Sequence, residues 1–188
     1  YLSGLKNNKL SAKFVKKDSN SLHHFGTHRK IKTVNFCFDR SCNFQCPSCR
    51  SELINYYGKD REQVEIKLKE IKNEISSTVK RLYLTGTADP FYSKSFREFL
   101  ETLDSTKFKK LESIHLHTNG SLWNEKMWNR LKAIHPYVTS CEISIDAGTK
   151  ETYETKTRIG GKWDVLLENL KFITTIDTIK FFSFSFVV

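Results

Sequence analysis

The sequence predicts an α/β fold built on a parallel sheet with helices outside it. Three observations carry that expectation. From about residue 32 onward, short β-branched or aromatic runs alternate with helical segments. Every connection between runs is long enough for a crossover. Each run ends in a turn rich in Gly, Asp, Asn or Cys. Repeated β-α units imply parallel pairing through right-handed crossovers, and in such architectures chemistry gathers at the C-terminal strand ends.

The elements follow in order. Residues 32–38 form the first run, with Val34, Phe36 and Phe38 inside it. Residues 60–81 place Val64, Leu68, Ile71, Ile75 and Val79 at steps of three and four, the stripe of an amphipathic helix with Lys and Glu on its wet face. Residues 81–85 are a short strand, and 93–103 a helix with Phe96, Phe99, Leu100 and Leu103 on one side. Residues 111–117 predict a strand, 124–133 a helix and 138–145 a strand. Residues 150–156 and 162–173 are helical, and 178–188 form a last, strongly apolar strand. The chain ends inside that strand, which leaves an apolar edge. The expectation is that the natural protein continues, or that another chain covers the edge.

The 188 residues suit one ordinary domain. Hydrophobic residues make up 38%, with 14 Phe and only 3 Pro, so a real core is affordable and a disordered, collagen-like or low-complexity chain is excluded. No apolar run approaches the ~18 residues of a membrane span, and no membrane partner is expected. The first 32 positions do not read as a secretion signal. The net charge is +10, but residues 1–33 hold eight basic residues against Asp18 alone. The basic character therefore belongs to an N-terminal segment, residues 1–31, ahead of a core domain at 32–188. A solvated arm is the expectation for it, with nucleic acid or an acidic partner as the alternative.

Five cysteines are present, Cys37, Cys42, Cys46, Cys49 and Cys141, and three of them fall within eight residues. A disulfide framework would spread an even number through a short secreted chain. Clustered thiols point instead to metal ligands in a reducing, cytoplasmic setting. Cys42, Cys46 and Cys49 form a C-x3-C-x2-C pattern, and Pro47 opposes a continuous helix through them. Three thiolates on a tight loop can hold three irons of a cubic 4Fe–4S cluster and leave the fourth iron open. Zinc competes, with His23, His24, His28 or Cys37 as a fourth ligand. Cys37 and Cys141 sit among apolar strand residues and are expected to be buried small side chains.

These residues resemble the radical S-adenosylmethionine (SAM) superfamily. The triplet after a first strand is similar to that family's cluster loop. Leu84-Thr85-Gly86-Thr87-Ala88-Asp89-Pro90 resembles its second-strand motif, and His117-Thr118-Asn119-Gly120 its third-strand turn. Ile143-Ser144-Ile145-Asp146, then Glu151-Thr152-Tyr153, Arg158-Ile159-Gly160-Gly161 and residues 163–170, resemble the fourth-strand region of members that modify peptides or carry SPASM or twitch extensions. The resemblance implies a partial (β/α)6 TIM-like barrel, truncated near its fifth strand, with a 4Fe–4S cluster and SAM as cofactors. Cys42, Cys46 and Cys49 would ligate three irons, and SAM would chelate the fourth. Gly86, Thr87, Ala88 and Asp89 would meet the SAM amino group. Ser144 and Arg158 would address its carboxylate or ribose, since a guanidinium fork suits a carboxylate. Asn119 and Asp146 would line the same mouth.

The implied reaction is reductive cleavage of SAM to a 5′-deoxyadenosyl radical that abstracts hydrogen, from a peptide or protein by the motif spelling. A flavodoxin- or ferredoxin-like electron donor is the implied partner, and no catalytic side chain is assigned. The sequence departs from the family at Ser48, where an aromatic ring is usual, so that Phe44 or another group would have to compensate. Thr87 and Ala88 replace glycines and must keep negative φ, and Asp89 replaces Glu. The alternative from another class is a non-catalytic module, stabilised by an iron–sulfur cluster or zinc, that docks nucleic acid or an acidic partner. His115 and His117 share a strand face and are expected to be satisfied barrel or interface positions. Trp123, Trp128 and Trp163 are expected to pack.

Overall fold

The computed structural model describes residues 31–84 and 87–187. Its centre is a five-stranded sheet in the order β1-β2-β3-β4-β5, with every neighbouring pair parallel. The strands are β1 (Thr33–Phe36), β2 (Arg81–Leu84), β3 (Ser113–Thr118), β4 (Val138–Ser144) and β5 (Phe181–Ser185). Sequential order means that the chain always advances in one direction around the sheet. That is the winding of a (β/α) barrel, whereas a doubly wound sheet reverses. The expected partial TIM-like architecture is what the strands form.

Helices fill each crossover. The first, α1 (Gly58–Glu70), buries Val64 and Leu68 and carries an Arg61–Glu65 pair one turn apart, with Arg61 also reaching Glu98 of the next helix. It widens through Ile71–Ile75 and stops there, short of residue 81. Ser76, Ser77 and Thr78 follow, and the Thr78 hydroxyl and amide both donate to the Ile75 carbonyl. Hydroxyl side chains that bond to nearby backbone compete with helix. The next helix, α2 (Lys94–Glu101), is capped by Ser93, whose Oγ accepts from the Phe96 amide at 3.1 Å. In α3 (Glu125–Arg130) the cap is Asn124, accepting from Met127 N, and a tighter turn runs on through Lys132–Tyr137. The short α4 (Lys150–Thr152) opens into a wide turn at Tyr153–Thr157, and α5 (Trp163–Ile173) buries Leu166, Asn169 and Ile173.

The core lies between one face of the sheet and these helices. Strand alternation sends Phe36, Leu82, Leu84, Ile114, Leu116, Cys141 and Ile143 into it. Phe36 meets Phe96 and Phe99 of α2, with ring centroids 5.6 and 5.1 Å apart. Trp123 lies between Phe91 and Trp128, and Trp128 stacks on His135 at 4.0 Å. The tryptophans at 123 and 128 therefore pack, as expected. Cys141 is buried, as expected, but Cys37 is exposed. It follows Phe36, which points into the core, and the pleat turns the next side chain to the opposite face. The last strand is shorter than residues 178–188, because Ile176 and Ile179 are joined in a turn just before it.

Because all five strands run the same way, their C-terminal ends share one edge. The residues that leave β1, β2, β3 and β4 meet there.

Candidate functional site

The loop after β1 is shaped by its own hydrogen bonds. Asp39 is buried, and its Oδ1 accepts from the Ser41 amide at 2.7 Å while Oδ2 accepts from Ser93 Oγ at the head of α2. Ser41 Oγ accepts from Tyr56 N, and Cys42 N donates to the Ile54 carbonyl. These bonds close residues 41–56 into a lobe with the three cysteines on it. Within the lobe, Cys49 N and Arg50 N both donate to the Cys46 carbonyl. The segment is a turn and not a helix, as Pro47 requires.

Each of the three sulfurs faces N–H donors. Cys42 Sγ accepts from Phe44 N at 3.5 Å and from Asn119 Nδ2 at 3.7 Å. Cys46 Sγ accepts from the Arg158 guanidinium at 3.5 Å, and Cys49 Sγ from the Arg50 guanidinium at 3.5 Å. The three donating side chains come from the lobe itself, the turn after β3 and the loop after α4.

Further bonds fix those donors. Asn119 Nδ2 also donates to Asn43 Oδ1, and Asn43 Nδ2 donates to Ser121 Oγ. Arg50 reaches the Arg40 carbonyl at 2.7 Å and the Thr87 carbonyl at 3.0 Å. Arg158 forms a nearly buried ion pair with Asp146 at 2.6 Å. Asp146 takes φ 52°, alone among described non-glycine residues in the left-handed region. Thr87 and Ala88 therefore keep the negative φ that their Cβ atoms demand.

Asp89 sits beneath the lobe and is fully buried. Its Oδ1 accepts from the Phe91 and Tyr92 amides, and its Oδ2 from Thr118 Oγ1 and Asn119 N. Its own amide donates to the Ser41 carbonyl. This carboxylate thus ties the turn after β2 to the end of β3 and to the lobe. Burial pushes its pKa up, and the four donors pull it back.

The expected site residues fall into groups. Cys42 meets Asn119; Cys46 meets Arg158, which pairs with Asp146; Cys49 meets Arg50, which reaches the Thr87 carbonyl. Ala88 packs against the core. Ser144 lies one strand row away, hydrogen-bonded to His117 Nε2 at 2.7 Å and to Ser185 Oγ at 3.1 Å. It does not touch Arg158. His115 is likewise satisfied, by Ser140 Oγ at 2.8 Å. Gly86 lies outside the described residues, as do His23, His24 and His28 of the zinc alternative. Phe44 is buried against Tyr153, with Gly161 held close to its ring. Its ring is in the core, so it does not replace the aromatic side chain missing at Ser48.

Sequence reading missed Asp39, Asn43, Arg50, Ser93 and Ser121 as builders of the site. The Asp39-x-Ser41 spacing is an Asx-turn signal, and Ser93 three residues before Phe96 is a cap signal. Neither announces that the two are joined.

The donor set can be tested against the chemistry of a bound group. Among the described residues, no three His, Cys, Asp or Glu side chains converge tightly enough to hold one ion. A tetrahedral zinc, with Zn–S of about 2.3 Å, needs its thiolates about 4 Å apart, whereas a cubic cluster spreads three thiolates over three irons. Three cysteines on one lobe, each with an N–H donor at its sulfur, fit the cluster. Burial pushes the Cys42 thiol up to about 11, helped by the charge of Asp89 and opposed by the Phe44 amide and Arg50. Burial also pushes Cys46 up, opposed by Arg158. Metal-free, both are thiols at neutral pH, so ligation as thiolates releases protons.

A family model described as the radical SAM superfamily matches residues 37–183. A curated relative, 7-carboxy-7-deazaguanine synthase of Aquifex aeolicus (strain VF5), is 31% identical over 98 residues, which is 51% of this chain and 40% of that protein. The chain thus spans well under half the length that relative has. Among solved structures, the selenomethionine form of BtrN in an open conformation matches with a TM-score of 0.45 and 12% identity, covering 68% of this chain and 56% of that one. BtrN in complex with AdoMet and 2-DOIA matches with a TM-score of 0.45 and 14% identity, covering 84% and 58%.

Proposed function

The chain belongs to the radical SAM superfamily, and from that premise we propose that it is the part of an enzyme that binds the cluster and SAM, with Cys42, Cys46 and Cys49 as the three protein ligands. Membership implies a 4Fe–4S cluster and SAM as cofactors. The observation that supports the ligand assignment best is the lobe itself: three thiols on one turn, each sulfur with an N–H donor, at the edge where the parallel strands end. When bound, cluster and SAM supply a one-electron cleavage of SAM to methionine and a 5′-deoxyadenosyl radical, which takes a hydrogen atom from substrate.

The chain's own residues prepare that chemistry. The Asp39 and Ser41 bonds close the lobe and tie it to the head of α2. Asn119 would donate a hydrogen bond to the Cys42 thiolate, and Arg158 would offset charge on that of Cys46. The backbone of Thr87 and Ala88, carried at the end of β2, is the SAM amino-group contact in this reading, and Asp89 positions it from below. Ser144 and Arg158 remain our candidates for the SAM carboxylate or ribose, and Asn119 and Asp146 for the rim. Arg158 would exchange part of its present bonding to serve that role.

A peptide or protein substrate is the finer proposal. It is supported by the motif spelling at Glu151-Thr152-Tyr153 and Arg158–Gly161. The curated relative is instead named for a small heterocycle, so both classes belong in the substrate assay. A flavodoxin- or ferredoxin-like donor in the cytoplasm would supply the electron. Among the described residues, no helix is long and apolar enough to cross a membrane.

Anaerobic reconstitution tests the assignment. The loaded chain should be brown, hold about four irons and release 5′-deoxyadenosine from SAM under reduction. Cys46→Ala should lose both iron and cleavage. A colourless protein with one tightly held zinc, or unchanged cleavage in Cys46→Ala, would sink it.

A further inference from the structure

Arg158 is bonded to more than a SAM contact requires. The residue is 9% exposed. One terminal nitrogen donates to Cys46 Sγ at 3.5 Å, and the other pairs with Asp146 Oδ2 at 2.6 Å. Its backbone is pinned on both sides, because Arg158 N donates to the Tyr153 carbonyl and Gly161 N to the Arg158 carbonyl, each at 2.8 Å. That clamp leaves no room for a side chain at position 161. A Cβ at Gly161 would lie 2.6 Å from the Tyr153 ring and 2.9 Å from the Arg158 carbonyl. Between Cys46 and Asp146, the guanidinium places its charge against one of the three sulfurs.

We propose that Arg158 and Asp146 form a charge couple that sets the reduction potential of the bound cluster through Cys46. The inference rests on the reading of Cys42, Cys46 and Cys49 as ligands and goes beyond it. Reduction adds one electron to the cluster and leaves its ligation intact, so the site becomes more negative by one charge. A guanidinium N–H at a ligand sulfur favours the more negative state and raises the potential; net charge and hydrogen bonds to sulfur are recognised levers on such clusters. Burial strengthens the effect by lowering the local dielectric. The Asp146 carboxylate opposes it, because its charge cancels part of the field of Arg158. The two residues thus act with opposite sign. Arg50 makes the same kind of contact to Cys49, but Cys49 is exposed, and water screens it.

The test is a reductive titration of the reconstituted chain without SAM, followed by EPR, with iron counted for every variant. Arg158→Gln should shift the midpoint to more negative values. Arg158→Lys, which keeps the charge, should recover part of that shift. Asp146→Asn should shift it to more positive values. Arg50→Gln should give a smaller negative shift than Arg158→Gln. A merely structural role would move Arg158→Gln and Asp146→Asn in the same direction or not at all, and either result overturns the proposal while iron content stays at the wild-type level. Wild-type chain that takes up no iron overturns the ligand reading, and this inference with it. If Arg158→Gln fails to hold iron, the Asp146→Asn shift decides, a positive shift supporting the couple and any other result sinking it.

Discussion

Asp89 accepts four hydrogen bonds, two from its own turn and two from the end of β3, and its neighbourhood in sequence announces only the first two. The motif spelling brought it forward as a cofactor contact in place of Glu. The structure spends both its oxygens on Phe91, Tyr92, Thr118 and Asn119. Buried donors left without an acceptor cost about 1–3 kcal/mol each. Asp89→Ala should therefore destabilise the metal-free chain by about 3 kcal/mol or more, read as a lower denaturant midpoint. Asp89→Asn keeps one acceptor oxygen and should lose less. Cys42, Cys46 and Cys49 were legible as a trio because their spacing is local. The donors at their sulfurs were not, since Asn119 and Arg158 lie 77 and 112 residues away from the cysteines that they meet. Cys37 was misread for a smaller reason, a one-residue uncertainty in which face of the pleat it takes.

At the scale of elements, the helices were readable wherever an apolar stripe and a cap coincide. For α2, Ser93 precedes Phe96, Phe99 and Leu100, and all three are buried. The far end of α1 was not readable, because Val79 continues the apolar period past a run of hydroxyl residues that ends the helix. Ser93 has a second role that sequence does not display: its hydroxyl donates to Asp39, 54 residues earlier, and so joins the start of α2 to the cysteine lobe. Ser93→Ala should cost about 1 kcal/mol for the lost cap, and the unpartnered Asp39 oxygen should add about 1 kcal/mol or more. Ser93→Thr should restore most of it. Hydrogen exchange provides a sharper readout, since faster exchange should appear at Ser41 and Cys42 as well as in the first turn of α2.

For the whole molecule, the parallel sheet and its order were legible because each β-α connection is long and each strand is short. The winding of the sheet then brings four distant turns to one edge without any further instruction. The same burial has a consequence for pH. Burial pushes the Cys141 thiol up to about 12, above the ordinary value that it regains on unfolding. The folded state therefore holds its proton where the unfolded state has lost it. Stability from this group is intact below about pH 8.5 and declines as pH rises toward 12. Metal-free wild-type should lose stability over that window more steeply than Cys141→Ala, by denaturation at a series of pH values.

Asp146 also joins two regions that seem unrelated. While Oδ2 grips Arg158, Oδ1 takes the amide of Val187 at 2.8 Å, just past β5. One carboxylate thus hinges the exit of the final strand to a thiol on the first loop. Any tug on the backbone there would be transmitted, through two contacts, to the sulfur of Cys46.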